Sequence, residues 1–544
     1  MVRARLVMMA ATTFAALAAL VGCVPSSPVS SAPKPPTTPR SASPATPPPT
    51  TPAPPFKLGD LEFSGSPAPA VDRPSFPAPQ VRPEGFAPAP AGDGLTGYLT
   101  QDVDWAPCGE GTTCAKVLAP LDYANPSAQA VTLSMRKVAA TASPRLGTLF
   151  VNFGGPGASG VTLVPGFARA GLERFDIVGW DPRGVGESTS VVCYGGSRTD
   201  DLVEVDTSPE TTAGLAALAK AQEAFGKSCW DNSGVLLEHI STIDTARDLD
   251  LLRALVGDGK LYYFGYSYGT RIGATYAELF GQNAARIVLD GAVDITHSDE
   301  AIQAIGFDLA LSHFARWCAD DDCSLGSSEK EVVASVVSLF DEVGRKPLKL
   351  GDRSVTKSLV VTGVAMMLYG GLDSWPKLAY MIDAAHDGVA DGLARAADQL
   401  NDRDTDGEYG SLFYAFPAVS CLDDDDLGVR HADQQWAKDQ RAAPVFGKYF
   451  GPDFVCALWP VRPARQLMVT ARSAPPIVVI GGTGDNATPY QQAVAMADQL
   501  ASGVLVTYDG EGHGAYGGES TCVDKLVTAY LVDGTVPRDG TVCT

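Results

Sequence analysis

The sequence predicts an α/β protein with a mostly parallel central sheet and a helical domain inserted late in the chain. Three observations carry this. Short apolar runs rich in Val, Ile, Phe and Tyr recur at 147–153, 175–180, 261–266, 286–289, 476–481 and 503–508. Near-continuous apolar strands of this kind belong to a sheet buried on both faces. Helical patterns separate several of them, and strand–helix alternation is the mark of parallel α/β architecture. The third observation is the interval 293–473, which has several helical patterns and few strand signals between two strands of the expected sheet.

The chain begins with an export signal over residues 1–22. Arg3 and Arg5 precede an apolar stretch ending at Leu20, followed by Val21, Gly22 and Cys23. A basic start, a short apolar core and a small residue before the cut define such a signal. The stretch is short for a bilayer span, and no other segment is long and apolar enough. The cysteine after the cut resembles a bacterial lipobox, which would make Cys23 the lipidated first residue of a membrane-anchored envelope protein. An ordinary signal peptide with a coincidental cysteine is the alternative. Residues 23–92 are rich in Pro, Ser and Thr, with runs such as Pro47-Pro48-Pro49. Proline removes a backbone donor and fixes φ, so this stretch reads as an extended tether. The folded body then divides into a first core part at 93–292, the helical cap at 293–473 and a C-terminal core part at 474–544.

The formal net charge of −22, from 41 Lys and Arg against 63 Asp and Glu, opposes binding to a nucleic-acid backbone. Setting Cys23 aside leaves 10 of the 11 cysteines. An even set in an exported chain reads as disulfides. Short loops cost least to close, so sequential neighbours are expected to pair. No cysteine or histidine spacing fits a zinc site.

The chemistry centres on Ser267. Gly265-Tyr266-Ser267-Tyr268-Gly269 follows the strand 261–266 and opens a helix, the context in which G-x-S-x-G places a serine on a sharp strand-to-helix turn. A serine nucleophile needs a base, and the base needs an orienting acid; with this turn their chain order is serine, acid, histidine. Of the six histidines, only His513 follows a late strand in a Gly-rich loop, Gly510-Glu511-Gly512-His513-Gly514. Asp485, in the loop after strand 476–481, is the expected acid, with Asp509 as the alternative. The Thr488 hydroxyl is placed to support the Asp485 loop. The oxyanion requires two donors: the Tyr268 backbone N–H, and an N–H from the Gly154-Gly155-Pro156-Gly157 loop. Pro156 has no N–H to give, which leaves Gly155, preferred here, or Gly154.

These motifs together resemble the prolyl- and tripeptidyl-aminopeptidase branch of the α/β-hydrolase serine peptidases, in particular the secreted actinobacterial tripeptidyl aminopeptidases. The resemblance rests on Gly154–Gly157, on Asp181-Pro182-Arg183-Gly184-Val185-Gly186-Glu187-Ser188, on Ala246-Arg247-Asp248-Leu249, on the Ser267 turn, and on the loops of Asp485 and His513. It spans about residues 95–544 and includes the Cys522–Cys543 region. One departure is Phe153, where prolyl aminopeptidases usually carry histidine before Gly-Gly-Pro-Gly. The resemblance implies an α/β-hydrolase fold with a helical cap, a Ser267–Asp485–His513 triad, no metal or organic cofactor, and peptide substrates with a free N-terminus, from which di- or tripeptides are released.

In that family acidic cap residues hold the substrate's ammonium. Asp423, in the run Asp423-Asp424-Asp425-Asp426, is the expected partner, against the reading of a solvated acidic loop. Arg183 reads as a guanidinium fixing the 181–188 loop, or else as a contact for a substrate carboxylate. An envelope esterase or lipase would use the same triad. A non-catalytic protein on this scaffold would have lost a triad member, and none is lost.

Overall fold

The computed structural model describes residues 76–77, 83–296, 302–424, 427–462 and 466–544. Cys23, the leader and most of the proline-rich stretch lie outside the described residues, as do Asp425 and Asp426. A ten-stranded sheet forms the centre. In chain order its strands are β1 (Ala106–Gly109), β2 (Thr112–Pro120), β3 (Ala130–Val138), β4 (Gly147–Asn152), β5 (Phe175–Asp181), β6 (Leu261–Tyr266) and β7 (Ala284–Asp290). A hairpin of β8 (Leu348–Leu350) and β9 (Arg353–Val355) stands apart, and β10 (Ile477–Gly484), β11 (Gly503–Glu511) and β12 (Thr541–Cys543) complete the main sheet. The spatial order is β1-β2-β3-β5-β4-β6-β7-β10-β11-β12. From β5 through β12 all neighbours are parallel, and β1, β2, β3 and β5 pair antiparallel. All six strands expected from the sequence lie in the parallel part, and β1–β3 and β12 are additions to them.

Parallel strands are buried on both faces, and the side chains divide accordingly. Tyr263, Leu289, Ile477 and Val479 face one core, shared with helices Thr242–Leu255, Tyr268–Phe280 and Tyr490–Gln499. Phe264, Val288, Val478 and Ile480 face the other, covered by Thr521–Asp533. Alternate residues of one strand thus feed opposite cores, as a period of two requires. Helix Thr242–Leu255 starts where Ser241 caps it, accepting the Asp244 N–H, which satisfies a donor the helix itself cannot.

Between β7 and β10 the chain is predominantly helical. Helices Gln303–Asp320, Glu329–Arg345, Lys357–Tyr369, Gly371–His386 and Asp391–Leu400 enclose a core of their own around Phe307, Phe314, Phe340 and Leu378. Helix Ser411–Asp423 instead packs Tyr414, Ala418 and Leu422 into the first core of the sheet. The 293–473 interval is therefore shared between two cores. Among the described residues no helix is long and apolar enough to cross a membrane.

The segment expected to be a tether differs at its end. Ala87 bridges Ala130 beside the sheet, and Phe86, Ala87 and Ala89 pack on the first core. These residues are apolar, so docking removes them from water. The ten expected disulfide cysteines pair with their sequence neighbours: Cys108–Cys114, Cys193–Cys229, Cys318–Cys323, Cys421–Cys456 and Cys522–Cys543.

Arg183 is wholly buried. Its Nε and one Nη donate to the Asp248 carboxylate at 2.7 and 2.6 Å. The remaining Nη donors reach the carbonyls of Leu121, His239 and Pro120 at 2.8–2.9 Å. Tyr123 adds a bond to Asp248 at 2.8 Å. Each of the five guanidinium N–H donors has a protein acceptor, so a substrate carboxylate would have none to take. Removing one partner of such a pair strands a buried charge. Arg183→Met should therefore lower the unfolding free energy by about 3–5 kcal/mol in urea melts. A loss below about 1 kcal/mol, the range of exposed pairs, would contradict the assignment.

Candidate active site

The carboxyl ends of β4, β6, β7 and β10 bring the site together. Ser267 sits between β6 and its helix with φ 54° and ψ −128°, a conformation that L residues adopt only under constraint, at about 1–3 kcal/mol. The flanking glycines are required by space. A Cβ on Gly265 would lie 2.4 Å from the Gly269 carbonyl oxygen, and one on Gly269 would lie 2.8 Å from Asn152. The turn is held by the Ser267 N–H donating to the Asp290 carbonyl at 2.9 Å and by Thr270 Oγ1 donating to the Ser267 carbonyl at 2.6 Å.

Asp485 and His513 meet. The imidazole Nδ1 lies 2.9 Å from both carboxylate oxygens. Asp485 is buried and also accepts the N–H groups of Ala487 and Thr488 at 2.9 and 2.8 Å. Thr488 Oγ1 donates to Asp485 at 3.1 Å and lies 3.4 Å from His513 Nδ1. A carboxylate at Nδ1 fixes the proton there and leaves Nε2 as the acceptor. Burial would lower the His513 pKa, but the charge and hydrogen bond of Asp485, with the charge of Asp290, outweigh it and hold the group above its ordinary value. Asp509, the alternative acid, is exposed and accepts from Thr483 at 2.9 Å. It has no part in this pair.

The two glycines of the Gly154–Gly157 loop differ in their surroundings. The Gly154 N–H donates to Asn152 Oδ1 at 2.9 Å, so it is spent on its own loop. Gly154 still needs to be glycine: its φ is +83°, and a Cβ there would lie 2.8 Å from the Ser267 Cβ. The Tyr268 N–H lies in the first turn of its helix, where no intrahelical acceptor exists. Asp181 braces this region. Its carboxylate accepts Ser159 Oγ at 2.7 Å, Val161 N–H at 3.0 Å and Glu187 N–H at 2.7 Å, which ties the oxyanion loop to the 181–188 loop.

Asp423, expected as an ammonium partner, is buried at the end of its helix with both carboxylate oxygens engaged. One carboxylate oxygen accepts the Thr242 N–H at 2.9 Å and the other bonds Thr242 Oγ1. The carboxylate thus caps the start of helix Thr242–Leu255, and an N-terminal helix end attracts a negative charge. Thr242 Oγ1 also bonds the Tyr268 hydroxyl. Arg271 pairs with Asp424 at 2.8 Å. Asp423 and Asp424 therefore clamp the end of helix Ser411–Asp423 to Thr242 and Arg271.

Two neighbours of the site went unforeseen. The Tyr369 carbonyl, at the end of helix Lys357–Tyr369, accepts the His513 N–H at 3.4 Å, and its ring stands edge-on to the imidazole at 5.6 Å. No local pattern marks this residue. Asp290 ends β7 and contacts the loop after His513. A carboxylate at the end of a predicted strand was a legible signal for it. Among the described residues no three His, Cys, Asp or Glu side chains converge to hold a metal.

An imidazole must be neutral to accept a proton, so activity is lost as pH falls through the His513 pKa. That pKa is raised, so the acid limb of kcat/KM should lie above the ordinary imidazole value of about 6.5. Asp485→Asn should lower kcat by about 10⁴-fold and move the limb to lower pH. An unmoved limb in a pH-rate series would contradict the pairing.

Family comparisons place the chain among known proteins. The α/β-hydrolase fold family profile matches residues 147–314, and that of the TAP-like protein family matches 443–543. The chain is 35% identical over 483 residues to "Serine protease Hip1" of Mycobacterium tuberculosis, covering 82% of this chain and 91% of that protein. It is 36% identical over 454 residues to "Carboxylesterase B" of the same species, covering 79% and 86%. A "Tripeptidyl aminopeptidase" of Streptomyces lividans is 29% identical over 480 residues, covering 81% and 86%. The chain therefore belongs to the α/β-hydrolase family of serine peptidases that includes Hip1 and the tripeptidyl aminopeptidases.

Proposed function

We propose that the chain is an exported serine aminopeptidase that releases di- or tripeptides from free peptide N-termini. Ser267 Oγ attacks the scissile carbonyl while His513 Nε2 takes its proton. His513 returns that proton to the leaving amine as the C–N bond breaks. Asp485 holds the imidazole tautomer and stabilises the imidazolium, and Thr488 fixes Asp485. The Tyr268 and Gly155 amides receive the oxyanion, in a geometry set before substrate arrives. Water, deprotonated by His513, then cleaves the acyl-enzyme ester and regenerates Ser267.

The observation that carries the reading is the 2.9 Å Asp485–His513 contact in a chain that also holds Ser267 in a constrained turn. Export is supported by the leader 1–22 and by ten cysteines paired in five disulfides. Lipidation at Cys23 would keep the enzyme at the membrane surface of the cell envelope. Phe153 stacks on Tyr266, with ring centroids 6.1 Å apart, where prolyl aminopeptidases carry histidine. This favours a short peptide over a single N-terminal proline as the released group. The relative named a carboxylesterase favours a second reading, ester hydrolysis by the same triad.

Di- and tripeptide anilides with free and acetylated amines, beside a short-chain ester, separate these readings. Free-amine peptides alone should be cleaved, with Ser267→Ala at least about 10³-fold slower. Ester turnover without anilide turnover would contradict the peptidase reading.

A further inference from the structure

One buried carboxylate beside the proposed triad has no role in the steps above. Asp290 ends β7 and is 1% exposed. Its carbonyl oxygen accepts the Ser267 N–H at 2.9 Å. Its carboxylate accepts the Ala515 N–H at 3.1 and 3.0 Å and the Tyr516 N–H at 2.8 Å. Ala515 and Tyr516 are the second and third residues after His513. The nucleophile's backbone and the histidine's loop are thus bound to the same residue, from opposite ends of it. The next residue, Gly291, has φ +62°, and a Cβ there would lie 3.1 Å from His513 Cε1. The chain just after β7 therefore comes close to the imidazole at a residue with no side chain.

We propose that Asp290 is a positioning residue that sets the spacing between Ser267 and His513. The inference rests on reading these two as nucleophile and base. Proton transfer requires the pair within hydrogen-bond reach, and the residues are far apart in sequence. A shared acceptor fixes both ends without crossing the substrate's path. The carboxylate also acts on the imidazole by charge. His513 is faced by Asp485 and Thr488 from the β10 loop, by Tyr369 from the cap and by Asp290 from β7. Asp290 itself is faced by Tyr266, His513 and Asp485. Burial pushes its carboxyl up to about 6, against the Tyr516 and Ala515 amides and the His513 charge. Tyr266, raised by burial, stays neutral over the assay range, so the pH dependence is read from His513 and Asp290.

The test is the pH dependence of free-amine peptide anilide hydrolysis by the full-chain protein. Asp290→Asn and the smaller Asp290→Ser remove the charge and the paired acceptor. Asp290→Glu keeps the charge but misplaces it. Fold is checked by near-ultraviolet circular dichroism. In the uncharged variants kcat should fall about 10- to 100-fold, the effect of a misplacement near 1 Å, with little change in KM. Their acid limb should move to lower pH, because losing a nearby negative charge lowers the imidazole pKa. Asp290→Glu should lose rate while keeping the wild-type limb. Wild-type rates in the uncharged variants would overturn the inference, and so would a rate loss with the same limb in all three. Retention of activity in Ser267→Ala would instead overturn the triad reading itself.

Discussion

In the proposed mechanism the Ser267 hydroxyl needs an imidazole beside it with a free electron pair, and that demand falls on the contact between Asp485 and His513. The carboxylate is buried and accepts from backbone amides, a hydroxyl and the imidazole at once. Each donor removes a freedom: the Ala487 and Thr488 amides fix the loop, and the Thr488 hydroxyl fixes the second oxygen. Such networks are strong when every member is satisfied and weak when one is missing. The sheet supplies the frame. β10 and β11 pair in parallel through Gly484 and Glu511, which brings the acid loop and the histidine loop out at the same edge.

The helices between β7 and β10 are part of this constraint. The Tyr369 carbonyl holds the His513 N–H, and Asp423 holds Thr242 beside Tyr268. Helix Ser411–Asp423 also lies against the oxyanion loop, where a Cβ on Gly155 would meet Leu412 Cδ1 at 2.8 Å. Cap and core are therefore joined at the histidine, at the nucleophile turn and at the oxyanion loop. A displacement of the cap would be felt in all three places.

The parallel strands were legible because each is a short, almost wholly apolar run. β2 and β3 escaped because Lys116, Arg136 and Lys137 break their apolar character. β12 escaped because three residues near the chain's end carry no periodicity. Ser267, Asp485, Thr488 and His513 were legible because each follows a strand in a loop of distinctive composition. Asp423 reads as an ammonium partner from its acidic run, and its contacts with Thr242 are not legible there. Nothing local distinguishes a carboxylate that caps a helix from one that waits for a ligand, since the partner, Thr242, lies far away in the chain. Tyr369 was hidden for the same reason.

Every proposed step starts at Ser267, and a covalent probe can locate the nucleophile. The protein would be treated with an alkyl fluorophosphonate, digested, and the adduct located by tandem mass spectrometry. One adduct is expected, on Ser267, and it should be lost in His513→Ala although Ser267 is still present. An adduct on another serine, or undiminished labelling in His513→Ala, would contradict it.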